Sequence, residues 1–217
     1  MNADDGALRQ EAVDAMRRLD ALGMNRGSTG NLSLRQGAGM LITPTGMGAD
    51  ELRPADLVWA GCDGTRRGDW QPSSEWHFHQ AIYAARPDLH AVVHCHSVHA
   101  TALACLRRDL PAFHYMVAVA GGDSVRCVPY HLFGTEALSD TVAQAMQDRD
   151  ACLMANHGLV AAGATLAQAM KVALEIESLC ETYLTALAVA EPTRLSGAEM
   201  AAVIERFRSY GKVARRP

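Results

Sequence analysis

The chain has 217 residues, 49% hydrophobic and 20% charged, with a formal net charge of −4. That balance fits a soluble globular fold with room for an ordinary hydrophobic core, and residues 1–217 read as one domain. No run of lysine or arginine exceeds a pair and no stretch approaches the ~18 apolar residues of a membrane span, so nucleic acid and membrane are excluded as partners.

The segment Met1 to Asp20 is charged and amphipathic and lacks the apolar core of a signal peptide. Six scattered cysteines read as reduced thiols, which with the missing leader points to a cytoplasmic protein. Apolar residues recur at three and four over 5–22, predicting a helix that Gly23 stops. Gly27-Ser28-Thr29-Gly30-Asn31 then forms a glycine-rich turn into a short strand over 32–35. A second strand over 40–42 runs into the turn Thr43-Pro44-Thr45-Gly46, and 57–60 reads as a third. Pro72-Ser73-Ser74-Glu75 opens a helix that reaches about Arg86, with a serine as its cap. Strands follow at 91–96, 124–128, 151–155 and 157–162; helices at 98–107, 135–147, 165–188 and 196–210. Strands and helices mix without strict alternation, and several strands pair as hairpins. The fold class is therefore three-layer α/β: a central, largely antiparallel sheet with helices on both faces.

His94-Cys95-His96 ends a buried strand, and residues two apart on a strand project to one side. Two neutral imidazoles there suit zinc, or are two histidines bonded to nearby carbonyls. His157, between Asn156 and Gly158 after a second buried strand, completes a three-histidine site if the two strand ends meet; otherwise it is a turn residue. Glu75 beside such a site would accept protons, although at a helix start it also simply answers the helix dipole. His77 and His79, two apart on a helix, share no face and read as surface or packing residues. The two glycine turns and Ser73-Ser74 at a helix start each offer amides or hydroxyls to an anion, without the spacing of a Walker loop or a dinucleotide fingerprint.

Five ordered segments together resemble the class II aldolase/adducin family: residues 30–35, 41–46, Pro72-Ser73-Ser74-Glu75-Trp76, Ala91-Val92-Val93-His94-Cys95-His96, and Asn156-His157-Gly158-Leu159. His114-Tyr115-Met116 before Ala120-Gly121-Gly122, and Phe207-Arg208-Ser209-Tyr210-Gly211, extend the likeness to the bacterial L-fuculose-1-phosphate aldolases within that family. Thr29, Cys95 and Ala155-Asn156 depart from the latter. The resemblance implies a homotetramer with active sites at subunit boundaries and one zinc ion per subunit on His94, His96 and His157, with Glu75 as fourth ligand or base. It implies a phosphate held by Asn31, Gly46, Ser73 and Ser74, assisted by Thr45. Tyr115 would reach in from a neighbouring subunit as proton donor, and Phe133 and Tyr210 would wall the aldehyde side. The segment after Tyr210, Gly211 to Pro217, is expected to be a mobile tail.

The implied reaction is reversible cleavage of L-fuculose 1-phosphate to dihydroxyacetone phosphate and L-lactaldehyde through a metal-stabilised enediolate. Relatives acting on 5-deoxyribulose or 5-methylthioribulose 1-phosphate share the same motifs and stay open as the alternative. A sugar-phosphate 4-epimerase would carry aspartate at position 75, so Glu75 favours cleavage. A non-catalytic module would not need the intact histidine set. The ligands accept zinc, cobalt or manganese alike.

Overall fold

The computed structural model describes residues 3–209; Tyr210 and residues 211–217 lie outside the described residues. Eight strands form one sheet in the order β4-β3-β2-β1-β5-β8-β7-β6. In chain order they are β1 (Asn31–Gln36), β2 (Gly39–Ile42), β3 (Val58–Gly61), β4 (Arg66–Arg67), β5 (Ala91–Cys95), β6 (Arg126–Val128), β7 (Ala151–Met154) and β8 (Gly158–Gly163). The helices are α1 (Ala3–Ala21), α2 (Trp76–Ala85), α3 (Val98–Cys105), α4 (Glu136–Ala145), α5 (Leu166–Leu187) and α6 (Gly197–Ser209). Every pairing is antiparallel except β6 with β7, so the sheet is mixed but mostly antiparallel.

The two-residue period of the strands divides the core into two layers. Leu32, Leu34, Ala91, Val93, Cys95, Leu159 and Ala161 face one way, against α1, α3 and α5. Val92, Val160, Ala162, Cys152 and Met154 face the other, against α2 and α4. The helices on each side bury apolar stripes at three- and four-residue spacing; in α5 these include Ala169, Ala173, Ile176, Cys180 and Tyr183. No helix among the described residues is long and apolar enough to cross a membrane.

Two expectations need correction. The helix expected from Pro72 begins at Trp76, and Glu75, not a serine, occupies the cap position, without a side-chain cap bond. Pro72 bridges Pro44 and the Ser73 amide donates to Thr43 O at 3.0 Å, so the chain reaches the helix only through a turn at Ser74-Glu75, closed by Trp76 N on Ser73 O at 3.0 Å. Strand β4 and two short 3-10 turns, Pro54–Asp56 and Tyr115–Ala120, have no counterpart among the expected elements. The last helix stops its description at Ser209, one residue before Tyr210.

Candidate active site

Antiparallel pairing of β5 with β8 sets Cys95 opposite Leu159, so the residues just beyond the two strand ends meet. His94 is wholly buried. Its Nδ1 donates to Leu159 O at 2.9 Å, which turns the bare Nε2 to the centre. That atom lies 3.0 Å from His96 Nε2 and 3.1 Å from Glu75 Oε2. His157 Nε2 lies 3.0 Å from Glu75 Oε1. The three imidazoles offer ligand atoms that all fall within 4.8 Å of one another, with ring centroids 4.8, 4.9 and 5.0 Å apart.

Several features hold this geometry. His96 is anchored through its backbone amide, which donates to the carboxamide oxygen of buried Asn25 at 3.1 Å. Gly30, at φ 75°, leaves the space that the Asn25 side chain fills; any Cβ there would overlap it. Asn156, at φ 55°, turns the chain between β7 and β8 in the left-handed region that asparagine tolerates better than most residues. Arg107 donates to its side-chain oxygen at 2.9 Å. A Cβ on Gly158 would lie 2.6 Å from Cys95 O, 3.0 Å from His96 Cδ2 and 3.3 Å from His94 Cε1. Gly158→Ala is therefore expected to destabilise the fold by about 1–3 kcal/mol through overpacking and to spread the two strand ends. Thermal melting checks this, with a drop of roughly 2–4 °C per kcal/mol.

Charge in the cluster is unevenly shared. Burial alone would push the Glu75 carboxyl up, but His94 and His157 outweigh it and hold the group well below the usual carboxylate range. Burial opposes charge on His94, and Glu75 overcomes it, so His94 is raised. His96 falls to about 4, first through burial and then through the neighbouring imidazoles. When both rings are neutral, the His94 and His96 Nε2 atoms set two lone pairs 3.0 Å apart beside a buried Glu75 Oε1 with no well-aligned donor, an arrangement that is costly unless a proton or a cation gathers them. The donor set thus fits a divalent metal, and three histidines with an open side suit a catalytic rather than a closed structural site.

Glu75, His96 and His157 of the cluster line a cavity of about 320 Å³. Ser28, Thr29, Gly30, Asn31, Thr45, Gly46, Ser73 and Ser74, all uncharged and rich in hydroxyls and amides, line it too. Tyr130, His131, Phe133 and Asn156 line the cavity as well. Of the residues expected from the sequence, Asn31, Thr45, Gly46, Ser73, Ser74, Glu75, His96, His157 and Phe133 therefore share one cavity, and His94 belongs to the cluster that lines it. Not every expected anion donor is available. The Ser73 amide is taken by Thr43 O, the Thr45 amide donates to Gln71 O at 3.1 Å, and the Thr29 hydroxyl closes its own turn on Arg26 O at 2.8 Å. Tyr115 does not line the cavity of its own chain; it sits on the second 3-10 turn, 49% exposed. Tyr210 lies outside the described residues.

Sequence reasoning missed Tyr130 and His131. The run Tyr130-His131-Leu132-Phe133, apolar yet exposed and closed by Gly134 at φ 74°, was the available signal. Gly134 packs against the Ser74 carbonyl, where a Cβ would come to 3.1 Å, so this loop is pressed onto the start of α2.

Residues 10–184 match the model of the Class II Aldolase and Adducin N-terminal domain. The chain belongs to that family. A curated relative from Rhodospirillum rubrum, a 5-methylthioribulose-1-phosphate/5-deoxyribulose-1-phosphate aldolase, is 51% identical over 97% of this chain and 96% of its own. An L-fuculose phosphate aldolase from Escherichia coli is 46% identical over 94% and 95%. A solved L-fuculose 1-phosphate aldolase superposes with a TM-score of 0.91 at 37% identity, covering 96% of this chain and 98% of that one. The chain is a class II aldolase, a lyase, and the expected three-layer α/β fold is that of its relatives. In this aldolase all three histidines and Glu75 lie within the matched segment.

Proposed function

We propose that this aldolase reversibly cleaves a ketose 1-phosphate to dihydroxyacetone phosphate and a small aldehyde, with one zinc ion per subunit. The observation that carries the reading is a single cavity lined by Glu75, His96 and His157 of the histidine cluster together with neutral, hydroxyl-bearing residues. His94, His96 and His157 would hold the zinc, with Glu75 beside them as fourth ligand or base. When bound, the ion supplies Lewis-acid stabilisation to oxygens that gain charge as the carbon–carbon bond breaks.

The chain's own residues do the rest. Asn31, Gly46, Ser73 and Ser74, with Thr45, hold the phosphate and so fix the short carbon skeleton in one register. Glu75 moves a proton between the hydroxyl on the carbon left behind and that carbon itself, and its two oxygens are held at known places to do so. Tyr115, half-exposed and outside the cavity of its own chain, would carry the proton of the cleaved alcohol by reaching a neighbouring subunit's cavity in the homotetramer that the family resemblance implies. Phe133, with Tyr130, walls the aldehyde side; the same role proposed for Tyr210 falls outside the described residues. Among the described residues no lysine lines the cavity to form a Schiff base.

Two substrates compete. L-fuculose 1-phosphate is supported by the name of the Escherichia coli relative, and the 5-methylthioribulose and 5-deoxyribulose 1-phosphates by that of the Rhodospirillum rubrum relative, whose identity is higher over a similar span. The test is a panel of these three sugars with zinc-loaded protein, coupling dihydroxyacetone phosphate to a reductase. Release from at least one is expected, and the ranking of kcat/KM names the substrate. Inversion of a sugar without fragments would favour an epimerase, and no release from any would end the reading of these three sugars as substrates.

A further inference from the structure

A line of buried polar groups ends on Asn31 and Glu75, and the proposed reaction leaves its other members, Tyr83, Ser33 and His79, unused. Tyr83 Oη lies 2.9 Å from Ser33 Oγ, and Ser33 Oγ lies 2.7 Å from His79 Nδ1. His79 Nε2 is 2.6 Å from Asn31 Oδ1, and Asn31 Nδ2 is 2.9 Å from Glu75 Oε2. All five residues are buried, and Ser33 and His79 completely so. Asn31 and Ser33 share one face of β1, while His79 and Tyr83 are four apart on one face of α2, so helix and strand interleave their polar groups.

The protons are fixed from the Glu75 end. A carboxylate only accepts, so Asn31 must present Nδ2 to Glu75 and Oδ1 to His79. Oδ1 only accepts as well, so the His79 hydrogen must sit on Nε2. Burial holds this ring neutral, down to about 3, so it carries one hydrogen, and Nδ1 accepts from the Ser33 hydroxyl. Tyr83 closes the line by donating to Ser33, whose carbonyl is 3.0 Å away. Turning the Asn31 amide over would set its carbonyl against the carboxylate, leaving two buried acceptors face to face.

We propose that His79 is a positioning residue: as the Nε2–H tautomer it locks the Asn31 carboxamide with its amide hydrogens toward Glu75. It thereby sets both the carboxylate and the asparagine that lines the cavity. The inference rests on the reading of Asn31 and Glu75 as site residues.

Two measurements test it. Long-range proton–nitrogen correlation spectra of the imidazoles in wild-type protein are expected to show His79 with hydrogen on Nε2 and a bare Nδ1; the opposite tautomer overturns the proposal. The second compares His79→Gln, which keeps an N–H near the Nε2 position, with His79→Phe, which fills the space without one. The phenylalanine variant should lose about 10- to 100-fold in kcat/KM, the range for groups that orient site residues from behind, and the glutamine variant only a few-fold. The rise in melting temperature caused by inorganic phosphate should shrink only in His79→Phe. Equal losses in two folded variants, or no loss in either, would overturn the proposal. If His79→Phe does not fold, the tautomer decides. Should wild-type protein cleave none of the sugars, the substrate reading fails, while the tautomer and the phosphate response still judge His79.

Discussion

Chelating the aldolase is expected to abolish turnover, and adding zinc or cobalt to restore it. Three imidazoles from two strand ends converge with Glu75 between them: the rings sit about 5 Å apart, edge to face, with the His94 and His96 Nε2 atoms 3.0 Å apart, a donor set that suits a divalent ion. A Lewis acid worth several kcal/mol in the transition state corresponds, at about 4 kcal/mol, to a loss of roughly 10³-fold. His94→Ala should do the same and keep zinc from restoring activity. It removes one ligand and also strands Leu159 O, which now accepts from Nδ1, so chelation of wild-type protein is the cleaner arm. Affinity for the ion should fall as pH falls. Metal and proton compete for the same lone pairs, and Glu75 raises His94 above the ordinary imidazole range, so competition there begins at a higher pH than for an isolated histidine. A metal-titration series across pH, with activity and bound zinc read together, checks this. Full turnover after complete removal of divalent ions would defeat it.

Much of this site could be read from the chain because strands obey a period of two. His94 and His96 lie on one side of a strand end by that rule alone, and the hairpin of β7 and β8 brings His157 back along the neighbour. Elements with long apolar stripes, such as α5, were equally legible. What failed to show were features set by distant partners. Strand β4 is two arginines, Arg66 and Arg67, with no apolar pattern; it forms because β3 offers an edge and Trp76 and Trp59 take the guanidinium groups on their faces at 3.9 and 4.6 Å. The α2 start was misplaced because Pro-Ser-Ser-Glu carries cap chemistry, whereas the bridge from Pro72 to Pro44 ties down its first residue and Ser74-Glu75 make a turn before the helix. His79 read as packing because a helix offers no clue that its ring meets Asn31 and Ser33 on a strand more than forty residues earlier. Asn25 was silent for the same reason: its partner, the His96 amide, is 71 residues away.

Glu75→Gln is the sharpest test of what the carboxylate does, because the change is isosteric and the surroundings tell the two groups apart. Asn31 Nδ2 would still find an oxygen to donate to, so half of the present bonding survives. The other half does not: the position of Oε1, 3.0 Å from His157 Nε2, would hold an amide that cannot take a proton. If Glu75 is the base, kcat should fall by about 10²- to 10⁴-fold while zinc stays bound to the three histidines. If it is instead a fourth ligand, zinc affinity should fall together with activity, and added zinc should recover part of the loss. Measuring bound zinc and kcat on the same preparation separates the two roles. Oε2 meets Asn31 Nδ2 and His94 Nε2, Oε1 meets His157 Nε2, and the two imidazoles hold the carboxyl well below the usual carboxylate range, so the first outcome requires those rings to be neutral, as metal ligands are. Unchanged kcat in a zinc-loaded Glu75→Gln protein would remove Glu75 from the chemistry altogether and leave it as a residue that merely balances charge in the cluster.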